Sequence, residues 1–233
     1  MAKSKGEYYE GTLYTIANYL LWFFLGNLYF VLLNIPLLFA TIILLSNGTS
    51  SISKGFTPII ICCIPIGPAA TALLSVMGKL IREKDINITR DFFKAYKANF
   101  FQALFFSTVE IISIFVLSID IKFFISGGYP TVLTSFIYIT IAFIVLINMY
   151  VFPIISRFNL TRKDIFKTAA YYTIRKFHVT ISSFVSILVV GFISFKVSPL
   201  LLLFISSIIC YLIMFYQQKI LLEIEEKLIK VEE

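Results

Sequence analysis

The residue with the most chemical potential is Glu110, near the middle of an apolar stretch, with Ser107 and Ser113 three residues before and after it. On a helix that spacing places all three polar groups on one broad face. An ionised carboxylate at bilayer depth costs on the order of 3 kcal/mol by insertion scales, so Glu110 should face a bundle interior or be protonated. Two roles are open to it. Glu110 could couple transport to a proton or cation, or bond a substrate; alternatively it is neutral, hydrogen-bonds Asn27, Asn34 or Asn148 of a neighbouring helix, and simply sets helix packing. A second concentration lies at Pro58, Pro65, Gly67 and Pro68, inside an otherwise apolar segment. Freed backbone groups at membrane depth are tolerated only where protein or a wet cavity satisfies them. Gly67 and Pro68 therefore join Asn34 and Asn148 as candidate ligand-lining residues, although proline kinks also occur in spans that carry no substrate. Asn34 with Pro36 allows a similar kink.

Other chemistries thin out. The single histidine, His178, excludes paired-His zinc motifs and suits an interfacial position. Cys62, Cys63 and Cys210 lack metal spacing and read as small hydrophobes. No Gly-rich loop ends in Lys-Ser or Lys-Thr, so nucleotide hydrolysis would need a partner chain. No catalytic residue, cofactor or metal is expected, and an intramembrane enzyme lacks a paired nucleophile and base. Asp120 reads as a surface ion-pair partner of Lys122 or Lys196, and the Asn-X-Thr triplets at Asn47, Asn87 and Asn159 are discounted.

The elements that must hold these groups follow from composition. Apolar residues make up 59% of the chain and charged residues 14%, against about a quarter charged in soluble domains. The expected fold is an all-α polytopic membrane protein. A span needs about 20 apolar residues, and six stretches qualify: Tyr19–Leu45, Pro58–Met77, Phe101–Ile119, Thr131–Phe152, Val179–Phe195 and Pro199–Tyr216. The first is too long for a signal-peptide core and is expected to stay as a span. Of the 20 Lys and Arg, all but Lys54, Lys122 and Lys196 fall on one side of these spans. The positive-inside rule then puts both termini in the cytoplasm. The net charge of +7 faces anionic lipid and makes nucleic-acid binding unnecessary. Residues 1–18 form a cytoplasmic N-terminal segment, 19–216 the membrane domain, and 217–233 a cytoplasmic helical tail.

Two inner loops, 78–100 and 157–178, read as helices lying in the headgroup layer. In the first, Thr89 reads as the N-cap, and Phe92, Phe93 and Tyr96 accompany Arg90, Lys94 and Lys97. The second opens with Thr161 and Asp164 in capping-box spacing and carries Lys163, Phe166 and Lys167. Asp91, Phe93 and Lys94 recur as Asp164, Phe166 and Lys167 at a constant offset, which hints at a duplicated unit of parallel type. Arg90, Phe92, Phe93, Lys94, Lys97, Lys163, Phe166 and Lys167 are candidates for docking a partner; the plainer reading is that these helices only join the spans. The tail repeats Leu221, Ile224, Leu228 and Val231, with Glu223–Lys227 and Glu226–Lys230 pairs, and is expected to be a solvated helix rather than a zipper.

Ile66-Gly67-Pro68-Ala69-Ala70-Thr71-Ala72-Leu73, followed by Lys79, Arg82, Phe92-Phe93 and Asn99-Phe100, resembles the YesL-like family of bacterial integral membrane proteins. Asn18, Trp22 and Ile35-Pro36 fit it as well, and the likeness is firmest from Asn18 to Asp120. The resemblance implies a multi-span helical protein of the bacterial cytoplasmic membrane, associated with carbohydrate uptake or its sensing, and supplies no catalytic or binding residues. The expected function is an accessory or regulatory component that binds a carbohydrate permease or sensor kinase. A small secondary transporter using Glu110 is the alternative.

Overall fold

Eight α-helices run through the described residues, 5–46, 62–196 and 199–232, of this computed structural model. They are α1 (Lys5–Leu33), α2 (Ile35–Ser46), α3 (Ile66–Glu83), α4 (Ile88–Ser126), α5 (Thr131–Arg157), α6 (Arg162–Arg175), α7 (Phe177–Lys196) and α8 (Ile205–Glu232), with a 3-10 turn at Pro199–Leu203 before α8. Tyr14–Leu33, Ile88–Ser126, Thr131–Arg157, Phe177–Ser194 and Ile205–Ile229 are long and apolar enough to cross a membrane. The chain is an all-helical membrane protein.

The expected second span, Pro58–Met77, is where the described architecture differs. Residues 58–61, like Asn47 and Lys54, lie outside the described residues, and the rest of that stretch belongs to α3 and the turn before it. This 18-residue helix carries Lys79, Arg82 and Glu83 in its last turns and packs against α1, α4, α5 and α8. Ala69, Ala72, Leu73, Met77 and Leu80 are fully buried, so protein rather than lipid surrounds α3. Small residues permit this, because close approach replaces a hydrophobic drive between helices in lipid. A Cβ on Gly67 would lie 2.4 Å from Ser107 Cβ, and one on Gly78 would lie 2.4 Å from Met214 Cε.

The first inner loop shrinks to residues 84–87. Lys84 closes α3 in the left-handed region (φ 57°), its N–H bonding Leu80 O, and α4 then runs unbroken for 39 residues. The interfacial helix and the third span are thus one helix. Asn87, not Thr89, is its N-cap: Asn87 Oδ1 accepts from Arg90 N at 3.2 Å. Asp91 accepts from Asn87 N at 3.2 Å and from Lys79 Nζ at 2.8 Å, which latches the turn, while the Thr89 hydroxyl lies 2.8 Å from Tyr29 OH. The second loop does contain a separate helix, α6, capped by Thr161 as its spacing predicts, with Asp164 N donating to Thr161 Oγ1 at 3.3 Å. It does not float: Ile165, Ala169 and Tyr172 are buried. The Asp-Phe-Lys repeat therefore opens two unlike helices.

The chain bends at Asn34 as the Asn34–Pro36 pair allows. α1 ends at Leu33, α2 starts at Ile35, and Asn34 Nδ2 donates to Phe30 O at 2.8 Å. The tail is not a solvated appendage. α8 continues through it with Gln217, Ile220, Leu221 and Ile224 buried, Gln217 against Met149 of α5. Glu223–Lys227 pairs as expected at 2.9 Å; the side chain of Lys230 lies outside the described residues.

Candidate functional site

Proline in a helix leaves a carbonyl four residues earlier without its donor, and two buried polar side chains, Ser107 and Gln217, lie at such gaps. Pro68 deprives Ile64 O, and Ser107 Oγ lies 3.3 Å from that oxygen and 3.1 Å from Leu104 O. Pro153, buried within α5, deprives Met149 O, and Gln217 Nε2 donates to it at 2.7 Å. Asn27 serves the break before α8: its Oδ1 accepts from Ser206 N at 3.0 Å and its Nδ2 donates to Leu202 O at 3.3 Å. Ser107, Gly67 and Pro68 are therefore one joint between α3 and α4, and Asn34 belongs to the α1–α2 bend. None of these four lines the cavity beside Glu110.

That cavity, about 500 Å³, lies between α4 and α5 under the start of α6. Glu110, Ser113 and Asn148 supply its polar lining; Phe105, Val109, Phe143, Ile144 and Ile147 form most of the wall. Of the three asparagines considered for Glu110, Asn148 is the one that shares its cavity. Asn148 Nδ2 donates to Ile144 O at 3.1 Å. Arg162, Lys163 and Phe166 of α6 sit at one end. The Arg162 guanidinium lies 4.3 Å over the Phe105 ring, a cation–π contact, and Gln102 Nε2 donates to Leu160 O at 2.7 Å, tying the α5–α6 loop to α4. Asn148 also lines a second cavity of about 310 Å³ on the far side of α5, with Phe30, Ala70, Leu74 and Cys210. Chemically this is a carboxyl–amide pair in an apolar trough, suited to hydrogen bonding.

The docking candidates divide. Phe92 is fully buried, packed on Tyr29 with centroids 5.5 Å apart, which withdraws it from any docking face. Arg90, Phe93, Lys94 and Lys97 are exposed, as are Lys163, Phe166 and Lys167. Phe93 is partly held by Tyr29, with centroids 5.3 Å apart. Exposed Phe101 extends the α4 strip, opposite buried Phe92, Ala95, Ala103 and Phe106.

A polar cluster that single-segment reading misses gathers at the ends of α5, α6 and α8. Arg157 pairs with Glu225, Lys176 with Glu223 at 3.7 Å, and the buried Tyr172 donates its hydroxyl to Glu223 Oε1 at 3.1 Å while accepting from Lys227 Nζ at 3.0 Å. Burial pushes the Tyr172 phenol up, so it stays a donor. The cluster borders a cavity of about 630 Å³ lined by Asp164, Lys167, Tyr171 and Lys227. Of this cluster, the Glu223–Lys227 pair alone is expected from the spacing along the tail.

Among known proteins, the family model described as protein of unknown function, DUF624, matches residues 23–121. That stretch takes in the C-terminal third of α1, all of α2 and α3 and most of α4, including the Gly67–Ser107 joint, the exposed α4 strip and Glu110. No curated protein and no solved structure matches the chain significantly.

Proposed function

We propose that the chain is a non-catalytic accessory or regulatory component of the bacterial cytoplasmic membrane that docks onto a carbohydrate permease or sensor kinase. The observation that carries this reading is the α4 strip. Arg90, Lys94, Lys97 and Phe101 follow one another by three or four residues on a single exposed face, at the end of a helix whose opposite face is locked into the core. A row of cations and an aromatic that no element among the described residues covers is the composition of an interaction surface. The strip falls within the stretch matched by the uncharacterised family, which is compatible with a YesL-like assignment; the association with carbohydrate uptake rests on that resemblance alone. In this reading both termini are cytoplasmic, in keeping with the distribution of Lys and Arg and with the meeting of Arg157, Lys176 and Lys227 at one end of the bundle.

Amine-reactive crosslinking of the tagged full-length protein in its native membrane, read by mass spectrometry, tests the proposal. Links from Lys94, Lys97, Lys163 or Lys167 to a sugar permease or sensor kinase are expected, and Arg90→Glu/Lys94→Glu/Lys97→Glu should abolish them. Self-links alone, in membranes where the subunits of a known permease do crosslink, would overturn it.

A second reading is favoured by the position of Asn148, which shares the cavity of Glu110 and lines another on the far side of α5: a small secondary transporter with Glu110 as its coupling group. Glu110→Gln should then abolish proton influx driven by a transported sugar in proteoliposomes, and unchanged influx would sink the coupling role.

A further inference from the structure

The trough between α4 and α5 has opposite characters along its length. Its walls are apolar and open sideways: Val109 is 47%, Phe143 42% and Phe166 55% exposed, all on or beside helices that cross the membrane, so the opening faces acyl chains. Its end is cationic, with Arg162 and Lys163 in the first turn of α6. Neither has an ion-pair partner among the described residues.

The cationic end is built rather than incidental. Arg162 is held over the Phe105 ring at 4.3 Å, the loop before it is tied down by the bond from Gln102 Nε2 to Leu160 O, and the Thr161 cap fixes the start of the helix. The N-terminal end of α6 adds its own partial positive charge. The carboxylate in the same turn, Asp164, accepts the Thr161 hydroxyl at the cap. Glu110 lies five residues beyond Phe105, about 7.5 Å further along α4 at 1.5 Å per residue, so an anion at Arg162 does not meet it directly.

We propose that this trough binds one anionic phospholipid, its phosphate held by Arg162 and Lys163 and an acyl chain laid along Phe105, Val109 and Ile144. A soluble anion would use only the cationic end and leave the apolar wall to other lipid. A zwitterionic headgroup brings a cation against Arg162 and Lys163, so the anionic lipid is preferred. Two basic residues near an anionic headgroup contribute about a factor of five each, which sets an expected preference of about tenfold or more.

The test is native mass spectrometry of the purified full-length protein in detergent, titrated with dioleoyl phosphatidylglycerol and, separately, dioleoyl phosphatidylcholine. One phosphatidylglycerol should be retained with at least the tenfold preference. Arg162→Gln/Lys163→Gln should erase the preference, Val109→Trp should weaken retention with the charges intact, and Lys94→Gln/Lys97→Gln should bind as the parent does. Equal retention of the two lipids by the parent protein overturns the proposal whatever the variants do. So does displacement by glycerol 3-phosphate at equal concentration, which would mark a free-anion site, or unchanged binding by a folded Val109→Trp, which would mark a headgroup-only contact. Because no partner protein is present, the outcome is separate from that of the docking reading.

Discussion

Replacing Gln217 with Leu isolates how this bundle tolerates a proline in a spanning helix. Gln217 is fully buried and its Nε2 donates to Met149 O at 2.7 Å, the carbonyl that Pro153 cannot serve. Gln217→Leu leaves that carbonyl buried without a donor, at a cost of about 1–3 kcal/mol. The single substitution is a poor measure of this, because it also removes Gln217 Oε1, which is buried without a partner, and so gives back part of the loss. The double-mutant cycle with Pro153→Ala separates the two effects. The alanine introduced by Pro153→Ala supplies an N–H to Met149 O, so in that background Gln217→Leu no longer orphans the carbonyl, while the gain from losing Oε1 is the same in both backgrounds and cancels. The expected coupling is about 1–3 kcal/mol, with Gln217→Leu costing more when Pro153 is present. Unfolding free energies of the parent, both single variants and the double variant, measured by steric trapping in one bicelle composition, give this number directly. A coupling within about 0.5 kcal/mol of zero would refute the argument that Gln217 is there to satisfy a proline-freed backbone.

The α3–α4 joint makes a steric prediction. Gly67→Ala places a carbon 2.4 Å from Ser107 Cβ and 3.0 Å from Ala103 O; overpacking of about 1–3 kcal/mol outweighs the gain of up to about 1 kcal/mol in helix propensity. Ser107→Gly should relieve it and Ser107→Ala should not, and equal relief by both in the same unfolding assay would show that the contact is not at Cβ. Asn27→Ala should cost about 1–3 kcal/mol by stripping Ser206 N and Leu202 O of their partner, and faster hydrogen exchange at Ser206 is the accompanying signature. The hydrogen bond to Asp91 raises the Lys79 ammonium above its ordinary value of 10.5. Its contribution is therefore complete below about pH 10.5 and lost as pH rises through the higher folded value. Asp91→Asn should reduce that alkaline loss in the unfolding profile, with Glu83 retaining part of it, and an unchanged profile would exclude the latch.

The bend at Asn34, the Thr161 cap, the Glu223–Lys227 pair and the membrane location were all legible along the chain, because each depends on local backbone chemistry or on composition over a span-length window. The division of the candidate site was not. Ser107 lies about forty residues beyond Gly67 and Pro68, and only the contact of α3 with α4 makes the serine a partner for the proline. Phe92 and Phe93 are adjacent and equally apolar, yet one is core and the other surface, because α4 continues straight from its first turn and so fixes which side meets Tyr29. In the sequence Arg162 signals only orientation, as any arginine of a basic loop does.

The sequence by itself determined that this chain is helical and lives in a bilayer: apolar runs of about 20 residues have no other stable solution when every backbone group must be satisfied internally. It also set where helices can bend, since proline removes a donor wherever it stands. Tertiary structure alone decided which polar group repairs each gap, which asparagine shares the cavity of Glu110, and that α3, which reads as part of a broken span, is walled in by its neighbours. Those outcomes depend on the register and approach of helices distant in sequence, set by small residues such as Gly67 and Gly78, whose missing side chains let α4 and α8 close on α3.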